Sequence, residues 1–247
     1  MSLEKSKVKK ILVISLSNIG DVVLTFPVVD VLRSEFPRAS ITVLVGPKAE
    51  EFFKKNGNIA RVISYNKRQS AGKMIALVQE LRREKFDMVI DLRNTAIPLL
   101  IGAPYHTPFS KTKEAHLHKK DQHLNRLRSV FKFEDKSPKR ICVEISAEDK
   151  NYVCGLLKGE AFKDGFVIMA PGAANHNKRW PYDRMAQLAD HVIEKYHKPV
   201  VFVGDLEDQR ITILIARNMK HGAFDLTGQL TLIQLAYALQ KCCLFIG

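Results

Sequence analysis

The sequence predicts an α/β protein made of two Rossmann-like, doubly wound parallel-sheet domains. Three observations carry that prediction. Continuous apolar runs of strand length recur along the chain, beginning with ILVISL at 11–16, as expected for strands covered on both faces. Amphipathic stretches of helical spacing lie between them, joined by short turns. The alternation lapses in the middle and then starts again, so the 247 residues are expected to form two domains, 1–160 and 161–247.

The elements follow in order. After the strand at 11–16 comes a turn, Ser17-Asn18-Ile19-Gly20-Asp21, and then a helix over 22–36 closed by Pro37. A second buried strand at 41–45 ends on Gly46-Pro47, and a short helix spans 48–55. Residues 61–65 read as a third strand, 73–85 as an amphipathic helix and 87–92 (DMVIDL) as a fourth strand. Residues 95–139 are less regular, with a helix over 121–133. A strand at 140–145 and a helix at 148–157 lead to the Lys158-Gly159 break. The second series then runs strand 165–170, polar loop 171–177, helix 182–196, strand 199–203, helix 207–219, a short strand and turn at 225–228, helix 231–240 and strand 244–246. With only that many strands and no closing helix, the second domain is expected to be small or incomplete at its C-terminus.

Composition narrows the function. Lys and Arg number 39 against 26 Asp and Glu, a net charge of +13. The charge alone suggests nucleic acid, but aromatic interleaving and any nucleic-acid module are missing, so no nucleic-acid partner is expected. The apolar runs fall far short of a membrane span, and the polar, basic N-terminus does not read as a signal peptide. The four cysteines include no C-x-x-C pair, which predicts a reduced cytoplasmic protein with buried thiols. His116-x-His118 has no carboxylate or thiol partner at a useful offset, so no metal site is expected.

Ligands of parallel sheets bind outside the carboxyl ends of the strands. The loop after the first strand is neither G-x-G-x-x-G nor a Walker loop. It offers Asp21, directly after Gly20. From the residues alone, Asp21 is either an acid favouring a helix dipole or a general base at the mouth of the sheet. The loop after the strand at 165–170 is Pro171-Gly172-Ala173-Ala174-Asn175-His176-Asn177-Lys178-Arg179-Trp180-Pro181. Small residues, two cations and a following helix start suit a phosphate or diphosphate; a solvated turn is the other reading. Asp205, Glu207 and Asp208 follow the next strand, as helix-start acids or as a ribose ligand.

Residues 10–27, KILVISLSNIGDVVLTFP, closely resemble the opening of glycosyltransferase family nine, the ADP-heptose:lipopolysaccharide heptosyltransferases. Asp91-Leu92-Arg93, Pro171-Gly172-Ala173 with Lys178-Arg179-Trp180-Pro181, the strand to Gly204, and Asp225-Leu226-Thr227-Gly228 extend the resemblance through the chain. It implies a GT-B architecture, with the N-terminal half taking the acceptor and the C-terminal half an ADP-sugar. It implies that Asp21 deprotonates an acceptor sugar hydroxyl in a loop with Ser17, Asn18 and Gly20. Lys178 would hold the donor diphosphate, with Ala173, Ala174 and Asn175 lining the loop. Asp208, or Glu207 beside it, would take ribose, and Leu226, Thr227 and Gly228 would lie around the nucleotide. Transfer would invert the sugar carbon and need neither metal nor cofactor, since the ADP-sugar is a substrate.

Two departures stand out. Positions 173 and 174, often Thr in the family, are Ala here. The family's Asp-(Ser/Thr)-Gly-x-x-His loop would follow Gly247. A non-catalytic nucleotide or sugar-phosphate binding module is therefore the alternative expectation. Residues 105–140 hold ten Lys and Arg against four Asp and Glu. That surplus is either a solvated basic face or a dock for an anionic lipopolysaccharide acceptor, with peripheral contact at the inner membrane surface.

Overall fold

A computed structural model describes residues 3–15, 17–66, 70–109, 116–134, 143–173 and 175–247. The chain divides into two units, Met1–Glu144 and Ile145–Gly247.

The first unit carries strands β1 (Lys10–Ile14), β2 (Ser40–Val45), β3 (Arg61–Ser64), β4 (Met88–Asp91) and β5 (Tyr105–His106), with helices α1 (Ile19–Val23), α2 (Phe26–Glu35), α3 (Glu51–Lys54), α4 (Ala71–Arg83), α5 (Ile97–Ile101) and α6 (Lys119–Arg128). Its sheet runs β3-β2-β1-β4-β5, and every pairing is parallel. Side chains alternate across a strand, so β1 buries both sets. Leu12 and Ile14 join Leu44, Val89, Leu77, Leu81, Ile97 and Ile101 in one cluster. The buried face of α2 supplies Val28, Val29, Val31 and Leu32, and Phe36 meets Phe131 edge-on at 5.1 Å.

The second unit begins with α7 (Ala147–Leu156). It continues through β6 (Val167–Met169), α8 (Tyr182–Tyr196), β7 (Val200–Phe202), α9 (Gln209–Asn218), β8 (Phe224–Asp225), α10 (Leu232–Lys241) and β9 (Leu244–Ile246). The order β8-β7-β6-β9 is again wholly parallel. One face packs Val167, Met169, Val200 and Phe202 on Met185, Ala186, Ala189 and Val192 of α8. The other packs Phe166, Ile168, Val201 and Val203 on Val153 of α7 and Ala238 of α10. Each sheet is thus covered on both faces, and in each the order reverses beside its first strand, between β1 and β4 and between β6 and β9. The predicted fold class holds for both units.

Several expectations need correction. The helix expected at 22–36 is two helices. Pro27 is the second residue of α2; it has no N–H to continue the ladder from α1 and its ring crowds the preceding turn. Thr25 fills the break, its Oγ1 donating to the Val22 carbonyl (2.7 Å) and lying 3.1 Å from Ser15 Oγ. The stretch 95–139 holds α5 and β5 besides α6. Of the strand expected at 140–145, residues 143–145 are not strand and 140–142 lie outside the described residues.

The boundary at 160 is displaced to 144, because α7 is built into the second unit. Gln234 Nε2 donates to Asp149 Oδ1 (3.1 Å) and Tyr152 OH to the Gln229 carbonyl (3.3 Å). Buried thiols were expected, yet Cys154 and Cys243 are exposed and Cys242 is half-buried; Cys142 lies outside the described residues.

Candidate active site

In the first unit the site elements gather where β1 and β4 end. Ser15 still bonds the sheet through the Leu44 carbonyl (2.8 Å), and the chain then leaves it towards α1. Gly46, ending β2, lets this loop pass close. A Cβ there would stand 2.7 Å from Ser17 Cα, a contact that no side chain could occupy. Asn18 precedes α1 without capping it. Its amide instead donates to Asp21 Oδ2 at 3.1 Å, fixing one carboxylate oxygen of the half-buried Asp21. Gly20 is exposed, with open space where a side chain would be.

Asp91 closes the neighbouring strand. Its buried carboxylate accepts from the Arg93 N–H (2.8 Å) and from Thr95 Oγ1 (2.8 Å), shaping the turn that holds Arg93 over the Tyr65 ring at 5.0 Å. Arg126 of α6 reaches the same place. Its Nε donates to the Asp91 carbonyl at 2.9 Å, and its Nη2 donates to the Pro108 carbonyl (3.3 Å) and to Asn94 Oδ1 (3.4 Å). Burial pulls this guanidinium below its usual value, with Asp91 pushing it back up. One turn earlier on the same helix, His123 is 1% exposed, and neither ring nitrogen has a hydrogen-bond partner among the described residues. Burial, then Lys119, pull its pKa down to about 4, with Asp21 opposing and Arg126 adding. Sequence reasoning missed Arg126 and His123. The only signal was their shared helical face, three residues apart.

In the second unit three loops meet at the carboxyl edge. The loop after β6 folds on itself: Arg179 Nε donates to the Ala173 carbonyl (2.9 Å) and Asn175 Oδ1 accepts from the Asn177 N–H (3.0 Å). Lys178 ends a short 3-10 turn and is exposed, with no ion partner among the described residues. Ala174 lies outside the described residues.

The loop after β7 is locked by a capping box. Asp205 Oδ1 accepts from the Glu207 N–H (3.0 Å), and Asp208 Oδ2 accepts from the Asp205 N–H (3.1 Å). The Asp208 carboxylate is therefore engaged, and it rests against Gly172 and Gly204. Glu207 remains exposed.

The turn after β8 is tied to this loop. Gly228, at φ +74°, donates its N–H to the Gly204 carbonyl (2.9 Å) and lies against Leu206. Asp225 holds the turn by accepting from the Thr227 N–H and Thr212 Oγ1, both at 2.9 Å. Gln209 Nε2 donates to the Thr227 carbonyl (3.1 Å). Leu226 and Thr227 are buried, and Thr227 Oγ1 has no partner among the described residues. Within the second unit, then, the loops bearing Ala173, Asn175, Lys178, Glu207, Asp208, Leu226, Thr227 and Gly228 stand side by side at one edge.

A separate cavity of about 290 Å³, lined by Cys154, Phe166, Tyr237 and Lys241 among others, sits where β6 begins, at the opposite end of the sheet from these loops. Among the described residues no three His, Cys, Asp or Glu side chains converge as a metal site requires, and no helix is long and apolar enough to cross a membrane.

Comparison with known proteins gives consistent results. The model of glycosyltransferase family 9 (heptosyltransferase) matches residues 74–247. A family 9 glycosyl transferase from Veillonella parvula DSM 2008 is similar over 99% of this chain and 76% of its own, at 26% identity and TM-score 0.83. The E. coli ADP-heptose lps heptosyltransferase II is similar over 96% of this chain and 78% of its own, at 21% identity and TM-score 0.74. E. coli heptosyltransferase WaaC with ADP is similar over 96% and 80%, at 14% identity and TM-score 0.71. No curated protein sequence matches the chain.

Proposed function

Because the chain belongs to glycosyltransferase family 9, the heptosyltransferases, we propose that it moves a heptose from ADP-heptose to a sugar hydroxyl of inner-core lipopolysaccharide. The observation that carries this reading is the meeting of three loops at the carboxyl edge of the second sheet, inside the segment that matches the family.

The donor is bound by the second unit. The exposed Lys178 ammonium, without an ion partner among the described residues, neutralises the diphosphate that gains charge as the sugar–oxygen bond breaks. Ala173 and Asn175 border it, and Ala174, between them in sequence, is assigned to the same loop. With the Asp208 carboxylate held as a cap, the ribose hydroxyls fall to the exposed Glu207, and Leu226, Thr227 and Gly228 border the nucleotide. The acceptor is bound by the first unit. Asn18 occupies Asp21 Oδ2, which leaves Oδ1 to take the proton of the attacking hydroxyl. The acceptor oxygen bonds the anomeric carbon as the ADP oxygen leaves from the other side, so configuration inverts. The ammonium and the loop amides supply the charge stabilisation without a metal ion. Ser17 and Gly20 complete the acceptor loop, and the surplus of positive charge in 105–140 favours an anionic acceptor at the cytoplasmic side of the inner membrane.

The test is transfer from ADP-heptose to heptose-deficient lipopolysaccharide, with ADP binding followed by calorimetry. Asp21→Ala abolishes transfer and leaves ADP binding nearly intact. Retained turnover would remove Asp21 as the base, and ADP binding without any transfer by the unaltered chain would favour a non-catalytic binding module.

A further inference from the structure

Arg93 carries a charge that the fold does not neutralise. Its guanidinium lies 5.0 Å from the centre of the Tyr65 ring, and the residue is half-buried. Among the described residues no carboxylate pairs with this side chain and no oxygen accepts from its N–H donors. The nearest acid in sequence is Asp91, and its carboxylate is spent on the turn: it accepts from the Arg93 and Thr95 N–H groups and from Thr95 Oγ1. An aromatic face attracts the charge but leaves the hydrogen-bonding fork of the guanidinium unused.

The place is the carboxyl edge of the first sheet. β1 and β4 are neighbours, with Ile14 opposite Asp91, and the strand order reverses between them, which is where parallel sheets bind ligands. Arg93 follows β4, and Ser17 and Asp21 follow β1. Tyr65 links the two loops. Its N–H donates to the Val45 carbonyl (2.8 Å), and the next residue, Gly46, lies so close to Ser17 that an added Cβ would stand 2.7 Å from Ser17 Cα. The ring is anchored in the cluster of Leu12, Ile14 and Leu44, which makes it a fixed seat for the cation. Ser17 Oγ is buried and has no partner among the described residues. A cation and a hydroxyl, both without partners there, thus stand by the loop that carries Asp21.

We propose that Arg93 is the acceptor anchor: its guanidinium grips an acid group of the acceptor, a carboxylate or a phosphate, through two parallel hydrogen bonds while Tyr65 holds the cation in place. This rests on the transferase reading above. The arginine fork matches two oxygens of one acid group, so it selects by geometry as well as by charge. A sugar tied at Arg93 is held beside the Asp21 loop before its hydroxyl reacts, and acceptors bearing an acid group are chosen over neutral sugars. The basic stretch at 105–140 differs from this anchor, because a diffuse surplus of charge attracts anions at a distance without choosing a group.

The test uses the full chain, ADP-heptose and deacylated, heptose-deficient lipopolysaccharide in three forms: untreated, with its carboxyl groups reduced to alcohols, and with its phosphates removed. Arg93→Gln should raise KM for the untreated acceptor about tenfold to a hundredfold, the range expected of a lost charge-assisted hydrogen bond. KM for ADP-heptose and the melting temperature should not change. Arg93→Lys, which keeps the charge without the fork, should recover part of the loss. In the unaltered chain one of the two treatments should raise the acceptor KM by a similar factor, and in Arg93→Gln that treatment should change little. Which treatment does so tells carboxylate from phosphate. An acceptor KM that Arg93→Gln leaves unchanged, or treatments that act equally on both proteins, would overturn the anchor. Should Arg93→Gln not fold, Arg93→Lys decides alone, an unchanged acceptor KM being the overturning result. A chain with no transfer at all refutes the transferase reading instead, and calorimetry with the untreated acceptor then decides the anchor. Weaker binding by Arg93→Gln supports it, and equal binding or none overturns it.

Discussion

The Asp208 carboxylate occupies the space that a side chain at Gly172 would need: a Cβ on Gly172 would stand 2.1 Å from the Asp208 carboxyl carbon. Two loops that are 36 positions apart in the chain are thus fitted to each other at the carboxyl edge of the second sheet. Gly172→Ala forces them apart and pulls Asp208 off the Asp205 N–H. Overpacking of this kind costs about 1–3 kcal/mol, and the expected outcome is a lower melting temperature with weaker ADP binding. Adding Asp208→Ala removes the collision, so the double variant should recover part of the Gly172→Ala loss. A strictly additive double variant would show that the two residues do not meet.

Lys178 is a test of charge rather than of packing. Its exposure and lack of an ion partner among the described residues leave the fold little reason to depend on it. Lys178→Ala should melt as the unaltered chain does and lose about a hundredfold or more in kcat/KM for ADP-heptose. Lys178→Arg should keep a larger share. A large fall in melting temperature would instead assign the lysine a structural role.

Arg126 is expected to behave in the opposite way. Arg126→Leu leaves the Pro108 carbonyl without its guanidinium donor and the Asp91 carbonyl with only the long Thr107 Oγ1 contact of 3.4 Å, and should destabilise the first unit by about 2–3 kcal/mol. The single tryptophan, Trp180, lies in the second unit, so hydrogen exchange at the amides of β1 and β4 is the measurement. Unchanged exchange there would show that the guanidinium is dispensable to the sheet.

The paired sheets and most of their helices were legible because a strand buried on both faces is written as an unbroken apolar run, as in 11–16. What escaped notice has physical causes. Pro27 splits one apolar-periodic stretch into two helices, and the periodicity of 22–36 does not register a missing N–H. The helix α7 follows the first sheet in sequence yet buries Val153 in the second unit, an allegiance that only tertiary packing decides. Cys243 was expected inside as one of four unpaired, reduced thiols, but it precedes an edge strand whose Leu244 and Phe245 are themselves half exposed. The loops of Asp21 and Lys178 were singled out as candidates because each follows a strand directly, Asp21 in the first unit and Lys178 in the second. Arg126 and His123 were missed because Arg126 meets Asp91 across 35 residues, with no local motif to mark the contact.

His123 also makes a prediction about stability. Its folded pKa is pulled to about 4, below the ordinary value of 6.5. Between those limits the unfolded chain takes up a proton that the folded protein refuses. Stability rises with pH wherever the unfolded state binds more protons, so the His123 contribution is fully present above about pH 6.5 and is lost progressively towards about pH 4. The upper part of that window lies above the titration of ordinary carboxylates, which isolates the histidine there. Protection of the β1 and β4 amides against exchange should therefore fall as pH is lowered from about 7 to about 5, once intrinsic exchange rates are removed. In His123→Phe, which has no proton to take up, that slope should flatten. Equal slopes in the two proteins would mean that the ring is protonated in the folded state as readily as in the unfolded chain. It would then have an acceptor within reach strong enough to outweigh its burial.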